Sequence, residues 1–163
     1  RGCRVLHLVE QLVDDDVLQE CFIPQYEIMK KIKGEWKRRS EILLPGYLFL
    51  ITDKVDQAAD ELRKVPAFTK LLGNDNAFIL NADEIAFIDS FTTKDHRVVE
   101  MSEGVIEGAE ISITKGPLVH HTALVKKIDR HKRLAYVETT MFGRKLNLKV
   151  GLEIVRKHRN IST

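Results

Sequence analysis

The sequence predicts an α+β protein of two domains, with an α+β or α/β sandwich over residues 1–93 and a small β-barrel over residues 107–163. Three observations support this. In the first part, stretches with helical spacing of apolar residues alternate with short runs typical of strands. Residues 94–106 belong to a polar stretch with no apolar period, which predicts a linker. After the linker, short apolar runs separated by turn residues predict four or five strands.

The first half of the predicted sandwich has one helix and several strands. Cys3–Val13 is predicted to be a helix, because its apolar residues recur at i, i+3, i+4 and i+7. The apolar run Cys21–Pro24 predicts a strand. Tyr26–Arg39 is polar and basic, and it predicts two strands that meet at a turn around Gly34. Ile42–Ile51 follows as a buried strand, interrupted near its start by a proline and a glycine.

The second half of the sandwich is predicted to contain two more helices. Ala58–Val65 is a helix candidate ended by Pro66. Phe68–Gly73 and Ala77–Leu80 predict a short apolar turn and a strand. Asn81 is a typical N-cap with acidic residues directly after it, so a last helix is expected to begin there. The apolar face of that helix comprises Ile85, Ile88 and Phe91.

The predicted barrel strands follow the linker at short intervals, and turn residues separate them. They are Glu110–Ile113, Ala123–Ile128, Leu134–Thr139, Arg144–Leu148 and Leu152–Val155.

Composition excludes several classes of protein. The 163 residues are 44% hydrophobic, and no apolar stretch approaches the roughly 18 residues that a membrane span needs. The two cysteines, Cys3 and Cys21, are too few for a disulfide scaffold and lack a C-x-x-C spacing. No signal-peptide pattern is present. We therefore expect a reduced, cytoplasmic protein.

Charge is divided unequally along the chain. Residues 1–100 carry 14 Lys and Arg and 18 Asp and Glu, a net charge of −4. Residues 101–163 carry 12 and 6, a net charge of +6, together with four of the six histidines. Such an asymmetry indicates that the second part meets a polyanion.

Motifs for catalysis are missing from the sequence. There is no phosphate-binding glycine loop, dinucleotide fingerprint or H-E-x-x-H pair. His120, His121 and His131 have no nearby cysteine to complete a metal site. Adjacent acids such as Asp83 and Glu84 are explained by helix capping. We expect no enzyme activity, no cofactor and no metal.

A basic β-hairpin is the strongest candidate for binding. Six basic residues fall between positions 126 and 133, and the apolar alternation around them predicts two strands joined by a tight turn. Residues 108–163 carry 12 basic and 4 acidic residues, and such a surface attracts phosphates. The alternative is a solvated hairpin with no partner. The predicted nucleic-acid contacts are Lys115, His120, His121, Lys127, Arg130, His131, Lys132, Arg133, Arg144 and Lys145.

Two further segments permit two interpretations each. The basic run Lys30–Arg39 contains Trp36, which could stack on a base or could simply cover a sheet edge. Tyr47 and Phe49 have i, i+2 spacing in the predicted strand, so they share a face. That face is either an exposed apolar patch for a partner or part of the core.

Several motifs resemble one protein family. Leu44–Phe49 reads L-P-G-Y-L-F and resembles the F-P-G-Y-x-F signature of the NusG family of transcription elongation factors. Arg63–Gly73 resembles the family's R-x-x-P-G-V-x-x-F-V-G segment, and Leu80–Glu84 is similar to its P-L-S-D-E-E helix start. Gly116–Val125 resembles the KOW motif, and Phe142–Leu148 resembles its F-G-R-x-T-P-V-E-L end.

The resemblance implies an NGN domain, in which helices flank an antiparallel sheet, followed by a five-stranded KOW barrel. It implies RNA polymerase as a partner, with an apolar depression of the NGN domain on the polymerase clamp helices. By position, Leu44, Tyr47 and Phe49 match the clamp-binding residues, which favours the exposed-patch interpretation. Arg63 and Thr69 lie in the segment near the loop that faces the opposite side of the polymerase cleft.

The sequence departs from the family pattern in places. The opening W-Y-x-x-x strand has no counterpart, and the sequence starts about where the family's first helix starts. Ala67 and Ala123 replace glycines. In the loop that meets Rho and a ribosomal protein in housekeeping members, His120 and His121 replace an acid-aromatic pair.

The basic second domain and the changed loop favour a specialised paralog of the LoaP type, which antiterminates transcription and recognises a leader RNA hairpin. The alternatives are a general factor that couples polymerase to the ribosome or Rho, a DNA-recruited factor of the RfaH type, and an unrelated RNA- or ribosome-binding barrel protein. We expect a monomer with no membrane partner.

Overall fold

The computed structural model describes residues 6–7, 9–11, 13–62, 80–141 and 143–156. They form two compact units. The first unit contains the described residues up to Pro24 and those from Leu44 to Leu62. The second contains residues 25–43 and the described residues from Leu80 onward. The predicted elements Phe68–Gly73 and Ala77–Ile79 lie outside the described residues.

The elements follow the chain in the order expected of an α+β protein. Residues 6–7 and 9–11 are helical (α1). They are followed by β1 (Glu20–Phe22), β2 (Gln25–Ile32), β3 (Glu35–Ile42), β4 (Phe49–Ile51), α2 (Val55–Leu62), α3 (Ala82–Phe91), β5 (Val98–Val99), β6 (Ser102–Glu107), β7 (Glu110–Lys115), β8 (Val125–Asp129), β9 (Leu134–Met141) and β10 (Arg144–Arg156). Two short 3-10 turns, Pro117–His120 and Thr122–Leu124, join β7 to β8.

The first unit places an antiparallel pair, β1 and β4, beside the two helical segments. Its core comprises Val9, Val13, Val17, Leu18, Ala58 and Leu62. The long strand predicted over residues 42–51 is wrong in extent, because β4 begins only at Phe49. Gly46 has a φ of 87°, and the Tyr47 N–H donates to the Leu44 carbonyl oxygen at 3.2 Å, so a turn occupies the start of that range.

The second unit begins with the predicted hairpin of β2 and β3. Its turn residues Lys33 and Gly34 have φ angles of 51° and 83°, which suit the twist of a two-residue hairpin loop. β2 pairs with β3 along its whole length and in parallel with β5 at its start.

Helix α3 starts where the sequence predicts, at a reciprocal cap. The Glu84 N–H donates to Asn81 Oδ1 at 2.9 Å, and the Asn81 N–H donates to Glu84 Oε1 at 3.0 Å. Ile88 and Phe91 are buried as expected, but Ile85 is 48% exposed and does not belong to the packed face.

Five strands form the second sheet of this unit, in the order β7-β6-β10-β9-β8. Two differences from the sequence expectation concern this sheet. β5 and most of β6 lie within the range predicted to be a polar linker, and β10 is one strand of 13 residues where two were predicted. The domain boundaries at residues 93 and 107 stay a prediction.

Gly151 lies inside β10 without interrupting the strand, and its close neighbours explain why this position holds a glycine. A Cβ atom at this position would lie 2.3 Å from the Glu27 carbonyl oxygen in β2 and 2.8 Å from Met101 Cγ. The glycine therefore allows β2 to pass directly against β10. Of the described helices, none is long and apolar enough to cross a membrane.

Candidate nucleic-acid interface

The β8–β9 turn presents a compact group of basic side chains, which we call the basic turn (Arg130, His131 and Lys132). All three side chains are exposed. Asp129 Oδ1 accepts from the Lys132 N–H at 3.0 Å, and the Arg130 carbonyl oxygen accepts from the Arg133 N–H at 3.3 Å. These bonds close the turn locally. Within the described parts of the chain, no carboxylate forms an ion pair with Arg130 or Lys132. The basic turn is therefore available to an anionic partner.

Arg133 follows the basic turn but has a different environment. Its guanidinium carbon lies 4.0 Å from the centre of the Trp36 ring in β3, and one of its nitrogens lies 3.4 Å from Glu153 Oε1. The side chain is 27% exposed. A cation over an indole face is a favourable contact. The nucleic-acid contact expected of Arg133 stays a prediction, and its charged group lies against Trp36 of the β2–β3 hairpin.

His121 is packed against helix α3. Its ring makes edge contacts with Phe87 and Phe91 at centroid distances of 5.3 and 5.4 Å, and its Nε2 lies 3.1 Å from Ser90 Oγ. Burial lowers the pKa of His121, and the neighbouring His120 lowers it further. His121 is half-buried against helix α3, whereas His120 is exposed.

The remaining basic candidates lie on exposed surface, and the three lysines among them lie near residues of neighbouring strands. Lys115 Nζ lies 3.9 Å from Glu103 Oε2, and Lys145 Nζ lies 3.8 Å from Glu138 Oε1. Lys127 Nζ lies 5.8 Å from the centre of the Tyr136 ring. Arg144 is exposed at the start of β10. Exposed ion pairs of this kind are weak, so the lysines can exchange them for phosphates.

Strand register reveals a basic row that the sequence reasoning missed. Lys127 in β8 is opposite Tyr136 in β9, and Tyr136 is opposite Lys149 in β10. Opposite residues share a face of a sheet, and Lys149 also shares the face of Lys145 because they are four residues apart in one strand. The period of two in β10 is the signal that could have identified Lys149.

The β2–β3 hairpin divides its basic residues between two faces. Lys31 is opposite Trp36, and Arg38 lies two residues from Trp36 along β3, so these three share one face. Lys30 is opposite Lys37, and both lie on the other face with Arg39.

A hydrogen-bonded group covers part of the second face. Tyr26 donates its hydroxyl to Glu41 Oε2 at 2.8 Å, and Lys30 forms an ion pair with the same carboxylate. These two contacts lower the pKa of Glu41, while burial raises the pKa of Tyr26. The charge of Lys30 is therefore engaged within the hairpin.

One cleft of about 500 Å³ in the second unit is lined mainly by acidic residues, in contrast to the basic surfaces described above. Its titratable lining residues are Glu27, Arg38, Glu100, Glu103, Lys115 and Glu153. Four carboxylates against two cations disfavour a phosphate group there. Exposed turns and strand faces, rather than this cleft, are suited to nucleic acid.

Two of the five residues expected to bind polymerase lie in the core. Leu44 and Phe49 are 4% and 7% exposed, and the Phe49 ring stacks on Phe22 with a centroid distance of 5.4 Å. The exposed patch expected of Tyr47 and Phe49 is therefore wrong for Phe49. Tyr47 precedes β4 and is half-buried, so part of it reaches the surface. Arg63 and Thr69 lie outside the described residues.

Comparison with known proteins agrees with the motif resemblance. A family model described as "Transcription termination factor nusG" matches residues 4–89. The chain is 23% identical over 150 residues to a Rickettsia felis protein named "Transcription termination/antitermination protein NusG", covering 88% of this chain and 75% of that one. It is 24% identical over 130 residues to the Chlamydia trachomatis protein of the same name, covering 79% and 71%. With the Campylobacter jejuni protein of that name, it shares 21% identity over 157 residues, covering 94% and 89%.

Proposed function

Because the chain belongs to the NusG family, whose model matches more than half of its residues, we propose that it is a transcription antitermination factor recruited through a structured RNA hairpin. NusG-family factors are non-enzymatic and work with RNA polymerase. In this proposal the C-terminal sheet is a KOW domain that binds a leader RNA, as in relatives of the LoaP type, and the N-terminal part is an NGN domain that holds the clamp helices of polymerase. The protein acts in the cytoplasm as a monomer without a cofactor.

The observation that carries the RNA-binding part is the basic turn. Its side chains stand exposed at the tip of a two-stranded ribbon, within a segment of net charge +8. Basic side chains that neutralise phosphates release counterions, so binding is favourable and falls as salt rises. A regular A-form major groove is too narrow for side chains. The proposal therefore requires a hairpin with a bulge or loop that opens the groove.

The polymerase contact is assigned to the surface around Tyr47. Tyr47 is partly exposed, while Leu44 and Phe49 lie beneath the surface in the same turn-and-strand segment. In this arrangement Tyr47 touches the polymerase, and the two buried residues hold the segment in shape. A variant with Tyr47→Ala is expected to bind polymerase more weakly while keeping its fold.

A second candidate is a general factor that couples polymerase to the ribosome or to Rho through protein contacts. The names of the relatives favour it, because each is called a termination/antitermination protein NusG. Against it, His121 of the loop that would make those contacts is packed on Phe87 and Phe91. A DNA-recruited factor of the RfaH type would instead use the basic surface for a DNA strand.

A salt-titrated binding experiment with the full chain separates these candidates. The ligands are a bulged RNA hairpin, a DNA duplex of the same sequence and the single strands. The variant carries Arg130→Ala with Lys132→Ala, and the matched control carries Lys37→Ala with Arg39→Ala, which removes the same charge from an exposed strand.

The proposal predicts tight hairpin binding by the wild-type chain and at least tenfold weaker binding by the turn variant. The slope of log affinity against log salt should fall by about 1.5, because two phosphate contacts are lost. Equal, weak binding to all nucleic acids would contradict RNA recruitment and favour the protein-coupling candidate. Preference for DNA would favour the RfaH-type candidate.

A further inference from the structure

The basic turn is held in place by residues outside it, and we propose that Trp36 of the β2–β3 hairpin is a positioning residue for RNA binding. Through its contact with Arg133, Trp36 presets the backbone of the basic turn before RNA arrives. The hairpin is then part of the RNA-binding unit, although the sequence predicts it in a different domain from the basic turn. This inference rests on the RNA-binding function proposed above and adds a residue that this function depends on.

Arg133 ends the β8–β9 turn with a strained backbone. Its φ of 57° lies in the left-handed region, which is unfavourable for a residue with a β-carbon. This conformation closes the loop between Asp129 and Leu134, which pair across the two strands. The Arg133 N–H donates to the Arg130 carbonyl oxygen at 3.3 Å within that loop. A strained residue of this kind persists when its surroundings hold it, so the contacts of Arg133 help to set the shape of the turn.

Three contacts hold Arg133. The Leu152 N–H in β10 donates to the Arg133 carbonyl oxygen at 3.0 Å. The guanidinium carbon lies 4.0 Å from the centre of the Trp36 ring, and one guanidinium nitrogen lies 3.4 Å from Glu153 Oε1. Both the backbone and the side chain are thus fixed. Because Arg133 directly follows Lys132, fixing Arg133 restricts the neighbouring residue of the basic turn.

The hairpin that carries Trp36 is packed on the same sheet through other contacts as well. β2 passes so close to β10 that a Cβ atom at Gly151 would lie 2.3 Å from the Glu27 carbonyl oxygen. Glu27 Oε1 also accepts from the Met101 N–H at 3.2 Å. The hairpin and the basic turn belong to one compact unit. The Trp36 ring is therefore a platform anchored to the sheet, and it can hold Arg133 in position.

A preset turn improves binding because less freedom is lost when RNA arrives. A turn that moved freely would have to be ordered as its charges meet phosphates, and this ordering lowers affinity. Arg130 and Lys132 are exposed and can approach phosphates. The guanidinium of Arg133 is occupied by the Trp36 ring and by Glu153. Arg133 therefore contributes to RNA binding through the position it gives to its neighbours.

The experiment measures the salt-titrated affinity of the full chain for the bulged RNA hairpin. Trp36→Leu keeps every charge, so general electrostatic attraction is unchanged. It is expected to weaken binding at least fivefold, which corresponds to about 1 kcal/mol. The salt slope should change little, because no phosphate contact is lost. Trp36→Phe keeps an aromatic face for Arg133 and should bind within twofold of the wild-type chain.

Two further variants test the assignment. Phe87→Leu removes another half-buried ring of the same unit, one that contacts Phe91 and His121, and serves as the matched control. It should change RNA affinity less than twofold. Arg133→Gln should weaken binding about as much as Trp36→Leu does. In the Trp36→Leu background, Arg133→Gln should cause little further loss, because both changes break the same contact.

Amide hydrogen exchange of the RNA-free chain reads out the turn itself. The Lys132 N–H donates to Asp129 Oδ1, and the Arg133 N–H donates to the Arg130 carbonyl oxygen. Both amides should exchange at least threefold faster in Trp36→Leu, whereas the ladder amides of β8 and β9 should change less. Circular dichroism checks that each variant is folded. Unchanged exchange at these two amides would mean that Trp36 does not preset the turn.

The outcomes separate the two proposals. If the wild-type chain binds the RNA hairpin and Trp36→Leu binds it equally well, RNA recruitment stands and the positioning role is wrong. Equal losses from Trp36→Leu and Phe87→Leu would also overturn that role. So would a salt slope lowered by about 0.9 in Arg133→Gln, with a further loss in the Trp36→Leu background, because Arg133 would then be a phosphate ligand. If the wild-type chain binds no hairpin at low salt, both proposals fail.

Discussion

Replacing Phe49 by alanine is expected to destabilise the first unit rather than remove a binding surface. The side chain is 7% exposed and stacks on Phe22, whose own exposure is 8%. An aromatic side chain of about 200 Å² buried at about 25 cal/mol per Å² contributes on the order of 4 kcal/mol beyond alanine. This agrees with the cost of about 3–5 kcal/mol that is typical of buried phenylalanine truncations. Tyr47→Ala, at a half-buried position outside β4, should cost less than half as much.

Hydrogen exchange of the β1 and β4 amides measures the stability of the first unit, where Phe49 and Phe22 lie. Trp36 fluorescence reports on the second unit, so it serves as the internal control and should change little. Exchange at residues 20–22 and 49–51 should accelerate strongly for Phe49→Ala and slightly for Tyr47→Ala. If Phe49→Ala leaves exchange unchanged but abolishes polymerase binding, Phe49 is a contact residue and its assignment to the core is wrong.

Three further predictions concern the second unit. Gly151→Ala should destabilise it by about 1–3 kcal/mol in urea unfolding followed by Trp36 fluorescence, since the new Cβ would overlap the Glu27 carbonyl oxygen; an unchanged midpoint would mean that β2 does not press on β10. Asn81→Ala should cost about 1 kcal/mol by loss of the helix cap, whereas Asn81→Ser should restore most of it. Folding lowers the pKa of His121, so the unfolded state binds a proton more readily than the folded state does. The free energy of unfolding should therefore be at its full value above pH 6.5, the ordinary pKa of histidine, and should decline as the pH falls below 6.5. His121→Gln should lose this pH dependence, and a slope that persists would assign it to another group.

Elements with local signals were predictable. The turn at Gly34 and the cap at Asn81 are set by neighbouring residues, and the hairpin and α3 appear where the sequence places them. β6 was not predicted, because its sequence is polar and it forms a strand by pairing with β7 and with the distant end of β10. β10 was predicted as two strands, Arg144–Leu148 and Leu152–Val155, and the close neighbour of Gly151 between them, Glu27, is far away in the sequence.

In the candidate interface too, the features set by neighbouring residues were predictable, and those set by distant residues were not. The basic turn could be recognised from composition and from the alternation on either side of it, and its three side chains are exposed. The environments of Arg133 and His121 could not, because their partners Trp36 and Phe87 belong to segments far away in the chain. No local pattern distinguishes a basic residue whose side chain is exposed from one whose side chain packs on a tryptophan ring.

Strand β10 has a consequence for how the C-terminal sheet assembles. Its first part continues the β8–β9 meander through local antiparallel pairing, whereas its last five residues pair in parallel with β6, 50 positions earlier. Local pairings form quickly, but closing a long loop is slow. We therefore expect β8, β9 and the start of β10 to fold as one early nucleus, with β6 and β7 added last. Newly made chains would then display the basic turn before the sheet that supports it is complete.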